Sequence, residues 1–538
     1  MFRFVFRGKA PILAAVFAVT LLGASSLSGS SALAGDAQSV AKQLQSNSVK
    51  WSGRSFQTEP MRAAYEARSH NPIWTSGRSL TPAGEALIDE LTNSYRDGLD
   101  PSEYLAAVRG FSELSGTEDA ARLELALSNA FLTLGRDLFS GLTTPSVTDP
   151  NIIIKRKKVN YSQWLEGAGN VGPSEMLRTL RPNHPQYAQL RQMLAGYRAL
   201  LLRGGWPLVS KGETLKPGMS SPRVAEMRAN LSARGYDGLN MPDNNVYDDV
   251  LKEVVMHFQK RHGLSADGVA GPNTFRAMNV SAEKRVDQLA INLERWRWLP
   301  RRLGDTHVLV NQAGFELFVM QGRKVVDNRR VIVGKPFHQS PMFSSQIAYA
   351  EFNPTWTVPS SIAGKEMLPK IINNPNYLNE RGYDLFRGYG AKATPINPFA
   401  VDWSSVNPRK FPYTIVQPPG PKNALGQVKF IFPNKFSVYM HDTPSRTLFS
   451  RDGRAFSHGC IRIEKPLDFA KKLYSLQGGL DVNRIRPIVE SKKRTRINLK
   501  RKMPVHLAYF TAWIDQNGVP LFFDDVYKRD KLVGKYLF

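Results

Sequence analysis

Apolar residues follow a helical repeat through the first half of this chain and a strand repeat through most of the second. Thr81 and Pro82 suit an N-cap and a first helical position, and Leu87, Ile88, Leu91 and Tyr95 then form one stripe before Gly98. A clearer stripe of Leu123, Leu127, Ala130, Phe131, Leu134 and Leu138 follows the start signal Thr117-Glu118-Asp119. Residues 51–206 are therefore expected to form a helical domain. The stretch before it, Asp36 to Lys50, is small, polar and unpatterned, and reads as a linker. A compact three-helix module is expected over 216–280. Val224, Met227, Arg228 and Leu231 mark its first helix, Val250, Leu251, Val254, Val255 and Phe258 its second, and Gly271-Pro272 starts the third. From Asp287 to Pro300 a further helix is expected to bury Trp296 and Trp298.

The period changes near Val308. Phe315, Leu317 and Val319 alternate with Glu316 and Phe318, and Gln321-Gly322 turns the chain into Val325 to Val333. A second β-rich stretch runs from Pro341 to Pro354-Thr355-Trp356. Alternation then fails from 365 to 422, where Asn, Pro, Gly and Tyr are dense, so this is read as an insertion within a domain spanning 305–485. Alternation resumes at Phe436, Val438 and Met440, which places Tyr439 and His441 on one strand face. Pro466 to Leu476 reads as a helix, and 486–538 as C-terminal strands completing the helical or the β-rich unit. The fold class is multidomain α+β.

Length and composition narrow the possibilities. At 538 residues the chain exceeds one core and predicts about three domains. A formal net charge of +26 implies an anionic partner. Nucleic acid is set aside, because the chain has no zinc-finger spacing, RNA-binding sheet signature or basic heptad region. Arg3, Arg7 and Lys9, the apolar run Ala10 to Leu22, and Ala32-Leu33-Ala34 read as a cleaved signal peptide over 1–34. The apolar run is short for a membrane span of about 20 residues, so an uncleaved anchor is the lesser alternative. The basic run Arg484, Arg486, Lys492, Lys493, Arg494, Arg496, Lys500, Arg501 and Lys502 reads as a solvated surface.

Cys460 is the only cysteine. In an oxidising exported compartment it has no intrachain partner, so its chemistry outweighs its packing. It stands in Ser457-His458-Gly459-Cys460-Ile461-Arg462, downstream of Tyr439-Met440-His441-Asp442. A thiol with a reference pKa of about 8.5 needs a proton acceptor to act as a nucleophile near neutrality. His441 can serve, and His458 is the other candidate. Gly459 permits a tight turn and close approach of its amide to a substrate oxygen. Asp442 should lie on the opposite strand face and is a poor third member of a triad. His257 and His262, five apart on a helix, fall on different faces and are not read as metal ligands.

These residues resemble the signature of the larger L,D-transpeptidases of bacterial cell walls: a histidine, a loop, Ser/Thr-His-Gly-Cys, a hydrophobic residue, and Asn or Arg. Phe258-Gln259, His262-Gly263-Leu264 and Asp267-Gly268 resemble a peptidoglycan-binding module. His70-Asn71-Pro72-Ile73-Trp74 and Asp97-Gly98-Leu99-Asp100-Pro101 resemble the helical scaffold of the larger members. The resemblance implies a sandwich-like β-rich catalytic domain with 365–422 as a capping insertion. It implies that Cys460 is acylated with His441 as its base, the histidine being oriented by the backbone carbonyl that follows it. Ser457, His458, Gly459, Tyr439 and Arg462 are expected to form the oxyanion and substrate surroundings. Arg462 either holds a stem carboxylate or supports the loop.

The implied partners are peptidoglycan tetrapeptide stems and the anionic wall polymer, in the periplasm, with no cofactor and no metal. The implied reaction forms 3-3 cross-links and releases D-alanine. A zinc peptidase using His441, His458, Cys460 and Asp442 is the enzymatic rival, disfavoured by the awkward spacing of His458 and Cys460 and by the lack of an H-E-x-x-H helix. A non-catalytic wall-binding protein is the other.

Overall fold

The computed structural model describes residues 29–108, 115–239 and 244–538. Most of the expected signal segment, 1–28, lies outside them. The stretch expected to be a linker is instead structured: helix α1 (Gly29–Gln45) packs on the long helix α2 (Thr117–Ser140), and a short strand follows at Ser48–Trp51. Val40 and Leu44, one helical turn apart, enter the scaffold core and are almost fully buried. Two apolar positions among polar neighbours gave too thin a stripe to read.

α2 holds the scaffold together with a carboxylate as well as its apolar stripe. Glu124 is completely buried and accepts the backbone amides of Ile73 (2.6 Å), Trp74 (2.9 Å) and Thr75 (2.9 Å), together with the Tyr65 hydroxyl (2.5 Å). A buried carboxylate is tolerated when donors converge on it in this way. Helix α3 (Pro185–Leu202) completes this half.

The small module consists of α4 (Pro222–Ala233), α5 (Asp249–Arg261) and α6 (Pro272–Met278), with Val224, Met227, Leu251, Val255 and Phe258 in its core. Asp248 caps α5, accepting the Leu251 amide at 2.9 Å. His262 is buried, stacks on Phe258 at 3.9 Å and bonds the Phe258 carbonyl through Nδ1, whereas His257 is exposed. The module leans on the catalytic unit through Ser265, which donates to Asp452 (2.7 Å), and through Arg276 with Asp524 (2.8 Å).

Helix α7 (Ala282–Trp298) joins the units and buries both indoles. Its Glu294, also fully buried, receives the amides of Leu142 (3.1 Å) and Thr143 (2.9 Å), the Trp298 indole (2.9 Å) and Arg297 (3.1 Å). Gly98 meets α7 so closely that an added Cβ would lie 2.9 Å from Ala290 Cα, and its φ of 74° favours glycine independently.

The catalytic unit is built on one sheet of nine strands. These are β1 (Thr306–Asn311), β2 (Glu316–Gln321), β3 (Lys324–Gly334), β4 (Phe343–Phe352), β9 (Val428–Ile431), β10 (Met440–His441), β11 (Ala455–Ser457), β12 (Ile461–Ile463) and β13 (Thr495–Ala508). Strand β3 pairs with β2 along its first part and with β12 further on, so the sheet curls back on itself. Leu317, Val319, Val331, Ile461, Val505 and Leu507 fill the interior. Phe318 and Met320, on the other face of β2, are also buried, against a cluster that includes Trp513. Helix α8 (Pro466–Gln477) packs on the core through Phe469, Ala470 and Leu473.

Strand β13 lies between β4 and β1, so the basic run crosses into the catalytic sheet. Its Lys and Arg residues are exposed: Arg496 lies on the outward face of the alternating first part, and Lys500, Arg501 and Lys502 occupy the register shift between Asn498 and Met503, with Leu499 and Met503 buried. The chain ends in helix α9 (Arg529–Leu537) rather than a strand.

Between β4 and β9 the insertion forms a four-stranded sheet of β5 (Trp356–Thr357), β6 (Asp384–Arg387), β7 (Thr394–Pro395) and β8 (Tyr413–Gln417). It has its own core, including Met367, Leu368, Ile371, Trp403 and Ile415.

Candidate active site

Strand register assembles the site. β10 runs parallel to β12, with Met440 beside Ile461 and His441 beside Arg462. Met440 and Ile461 point into the core and are completely buried, so His441 and Arg462 share the opposite face. One step earlier, Tyr439 and Cys460 lie beside each other at the strand ends. The Ile461 amide donates to the Tyr439 carbonyl at 3.1 Å, fixing this register. The Tyr439 and His441 rings are 5.6 Å apart, which puts both on that face.

His441 is buried, and its Nδ1 bonds the Asp442 carbonyl oxygen at 2.5 Å. That bond makes Nδ1 the donor and leaves Nε2 as the basic nitrogen. The Asp442 carboxylate is occupied elsewhere, accepting the amides of Thr443 (2.7 Å) and Gln427 (2.9 Å). It takes no part as a third triad member.

The loop carrying Cys460 is held by buried polar contacts. Ser457 Oγ donates to the Cys460 carbonyl (2.6 Å) and accepts the Gly459 amide (3.1 Å). The Gly459 N–H is thereby committed, correcting the expectation that it faces a substrate oxygen. The Cys460 N–H makes no hydrogen bond among the described residues. Gly459 has φ 109°, where an L side chain is strained, and its carbonyl accepts Ser340 Oγ at 2.8 Å. Ser340 is bound in turn to α9: Arg529 donates to its carbonyl (3.1 Å) and to Asp149 of the scaffold (2.8 Å).

His458 turns away to the insertion, where Nε2 lies 2.6 Å from Glu366 Oε1. His441, His458, Cys460 and Asp442 do not converge as metal donors; among the described residues, the group of three or more donors that does converge contains only His458 of these four. Arg462 is half-buried, its Nε is buried without a partner, and its guanidinium makes no hydrogen bond or ion pair among the described residues. Beyond His441 the same sheet face continues through Lys429 and Glu351, paired at 2.9 Å, and Arg494 also bonds Glu351 at 2.9 Å. Lys429 sits 5.9 Å from the Tyr439 ring centre. In the sequence, Lys429 and Glu351 are unremarkable polar positions in strands, and only the register brings them to the site.

Electrostatics set the resting state. Burial, then the Arg462 charge, push the His441 imidazole down to about 3, against a smaller upward effect of its bond to Asp442. Burial pushes the Cys460 thiol up to about 11, although the Tyr439 backbone amide and Arg462 favour the thiolate. The pair therefore rests as neutral thiol and neutral imidazole, and proton transfer accompanies attack. His441 is in its basic form at any pH above about 3. Alkylation of Cys460 by iodoacetamide, which draws on the thiolate, is expected to be slow at neutrality and to climb steadily with pH. Acylation assisted by His441 is expected to stay level from about pH 5 to 9. Parallel pH profiles for the two reactions would show that the proton is lost before attack instead.

Three family matches cover most of the chain. A scaffold domain matches residues 59–194, and a putative peptidoglycan binding domain matches 220–278. The L,D-transpeptidase catalytic domain matches 305–498, the segment that contains His441 and Cys460. The chain carries an L,D-transpeptidase catalytic domain. A putative L,D-transpeptidase from Haemophilus influenzae is 34% identical over 258 residues, 47% of this chain and 50% of that protein. A probable N-acetylmuramoyl-L-alanine amidase from Bacillus licheniformis is 33% identical over 72 residues, 13% of this chain and 20% of that protein. The chain thus spans half or less of the curated relatives it matches. The crystal structure of an L,D-transpeptidase from Stackebrandtia nassauensis aligns with 56% of this chain and 96% of its own, at 14% identity and a TM-score of 0.23, too low to add to the fold described above. No helix among the described residues is long and apolar enough to cross a membrane.

Proposed function

We propose that this L,D-transpeptidase domain cross-links peptidoglycan stem peptides through a Cys460 thioester. The observation that carries the proposal is the shared face of β10 and β12, with His441 Nδ1 tied to the Asp442 carbonyl so that Nε2 is free to accept a proton. Cys460 Sγ attacks the carbonyl between the third, L-configured centre and the terminal D-Ala of a tetrapeptide stem. His441 Nε2 takes the thiol proton as the C–S bond forms and returns it to the departing amine, so the C–N bond breaks and D-alanine leaves. The amine of a second stem's diamino acid then attacks the thioester and restores the thiol, giving a 3-3 link.

The oxyanion faces the unshared Cys460 N–H and the positive field of Arg462, and one such donor is worth about 3 kcal/mol. Arg462 is the residue we assign to a stem carboxylate, because its buried Nε has no hydrogen-bond partner among the described residues. The insertion acts as the cap, since Glu366 reaches His458 in the nucleophilic loop. The three-helix module and the net charge of +26 favour retention on an anionic wall. The basic, apolar and Ala-x-Ala pattern at the N-terminus supports action in the periplasm.

Purified enzyme incubated with tetrapeptide-bearing muropeptides should yield a dimer whose mass equals two donors less one D-alanine, linked between third residues. A product shortened by D-alanine with no dimer would make the enzyme a carboxypeptidase. No change in mass, with wall binding intact, would support the non-catalytic reading.

A further inference from the structure

Three side chains from distant parts of the chain meet at the edge of the cap. His338 lies in the loop after β3, Glu366 in the π-helical turn Ala363–Met367 of the insertion, and His458 in the nucleophilic loop itself. Their donor atoms all lie within 4.8 Å of one another. The His338 and His458 rings have centres 5.0 Å apart, and His458 Nε2 is already 2.6 Å from Glu366 Oε1. Two imidazoles and one carboxylate are the donor set of open zinc sites, with a fourth position left for water. Nitrogen donors disfavour magnesium and calcium, which take oxygen ligands.

We propose that His338, Glu366 and His458 form a binding site for a divalent transition ion of the zinc type, which fastens the insertion to the loop carrying Cys460. None of the three is needed for the thiol chemistry assigned to Cys460 and His441. In the metal-free molecule the His458 ring and the Glu366 carboxylate share a hydrogen bond, and the ion takes its place. The three ligands belong to separate elements, so occupancy cross-links them. The backbone of Glu366 is then held against the catalytic loop, and the cap opens less readily.

The test uses the full-length chain carrying Cys460→Ala, so that the thiol cannot contribute, with zinc measured by competition against a chromophoric chelator. One equivalent should bind. His338→Ala and Glu366→Gln should each weaken it ~10-fold or more, whereas His257→Ala, at an exposed histidine elsewhere, should not. His338 is exposed and Glu366 half-buried, and glutamine preserves the shape of Glu366, so loss of binding is separable from loss of folding. Cobalt in place of zinc in the parent protein should give ligand-field bands without a sulfur-to-metal charge-transfer band.

Unchanged affinity in both ligand variants would overturn the site. So would the absence of zinc binding to the Cys460→Ala chain, or a charge-transfer band that vanishes with Cys460, since either places the metal on the thiol. Saturating zinc should also slow acylation of Cys460 in the parent and not in His338→Ala. Equal inhibition of both would overturn the fastening role.

Discussion

A carbapenem is expected to add once to the parent protein and hardly at all to Cys460→Ser. The lactam presents a strained amide carbonyl, and opening its ring by Cys460 is the same bond exchange as the first half of the proposed reaction. Because the chain has one cysteine, intact-mass spectrometry should show a single adduct at one drug mass. A serine hydroxyl is far less acidic than a thiol, and here even the thiol is held up to about 11 by burial. The same packing leaves the alcohol no better off, and the basicity of His441, depressed to about 3, gives little pull on its proton. An adduct of equal yield on the serine variant would remove Cys460 from the mechanism. An unmodified parent protein, with activity abolished by chelation, would favour the zinc-peptidase rival.

His441→Ala should lower the rate of acylation by about 10² to 10⁴, the usual contribution of a positioned base. The loss should fall on acylation and spare alkylation, which draws on the small thiolate fraction without assistance. Near neutrality the variant's acylation rate should rise with pH while the parent's stays level, because only the variant depends on prior ionisation of a thiol whose pKa lies near 11. Removing His441 also removes a buried ring that bonds the Asp442 carbonyl, so circular dichroism and the unchanged alkylation rate are needed to show that β10 persists. Acylation at the parent rate would identify another base. His458 is the poorer choice, because its Nε2 is turned to Glu366.

How much of this was legible depended on the range of each interaction. Alternation around Tyr439, Met440 and His441 was readable because the period-two rule acts over adjacent residues. It survives although regular pairing is confined to Met440–His441, with Ser437 bending the chain at φ 55°. The stripe of α2 was equally plain. The cap's sheet was not, because its strands are only two to five residues long and its core comes from scattered positions such as Leu368 and Trp403. The buried carboxylates of Glu124 and Glu294 look like ordinary helix-surface residues until the amides they receive arrive from other elements. His338, Glu366 and His458 are likewise separated by long stretches of chain, and no local spacing announces them. Commitment of the Gly459 amide to Ser457 was hidden in the loop's own turn, where motif letters give composition and not hydrogen bonds.

The link from Gly459 through Ser340 and Arg529 to Asp149 gives the last residues of the chain an influence out of proportion to their distance in sequence from the thiol. Tyr527 reinforces it, donating to the Gly334 carbonyl at 2.6 Å. A fragment cut to residues 305–498 keeps the nucleophile and forfeits this footing. Lesions at Tyr527 or Arg529, far from the thiol in sequence, would thus register as losses of catalysis.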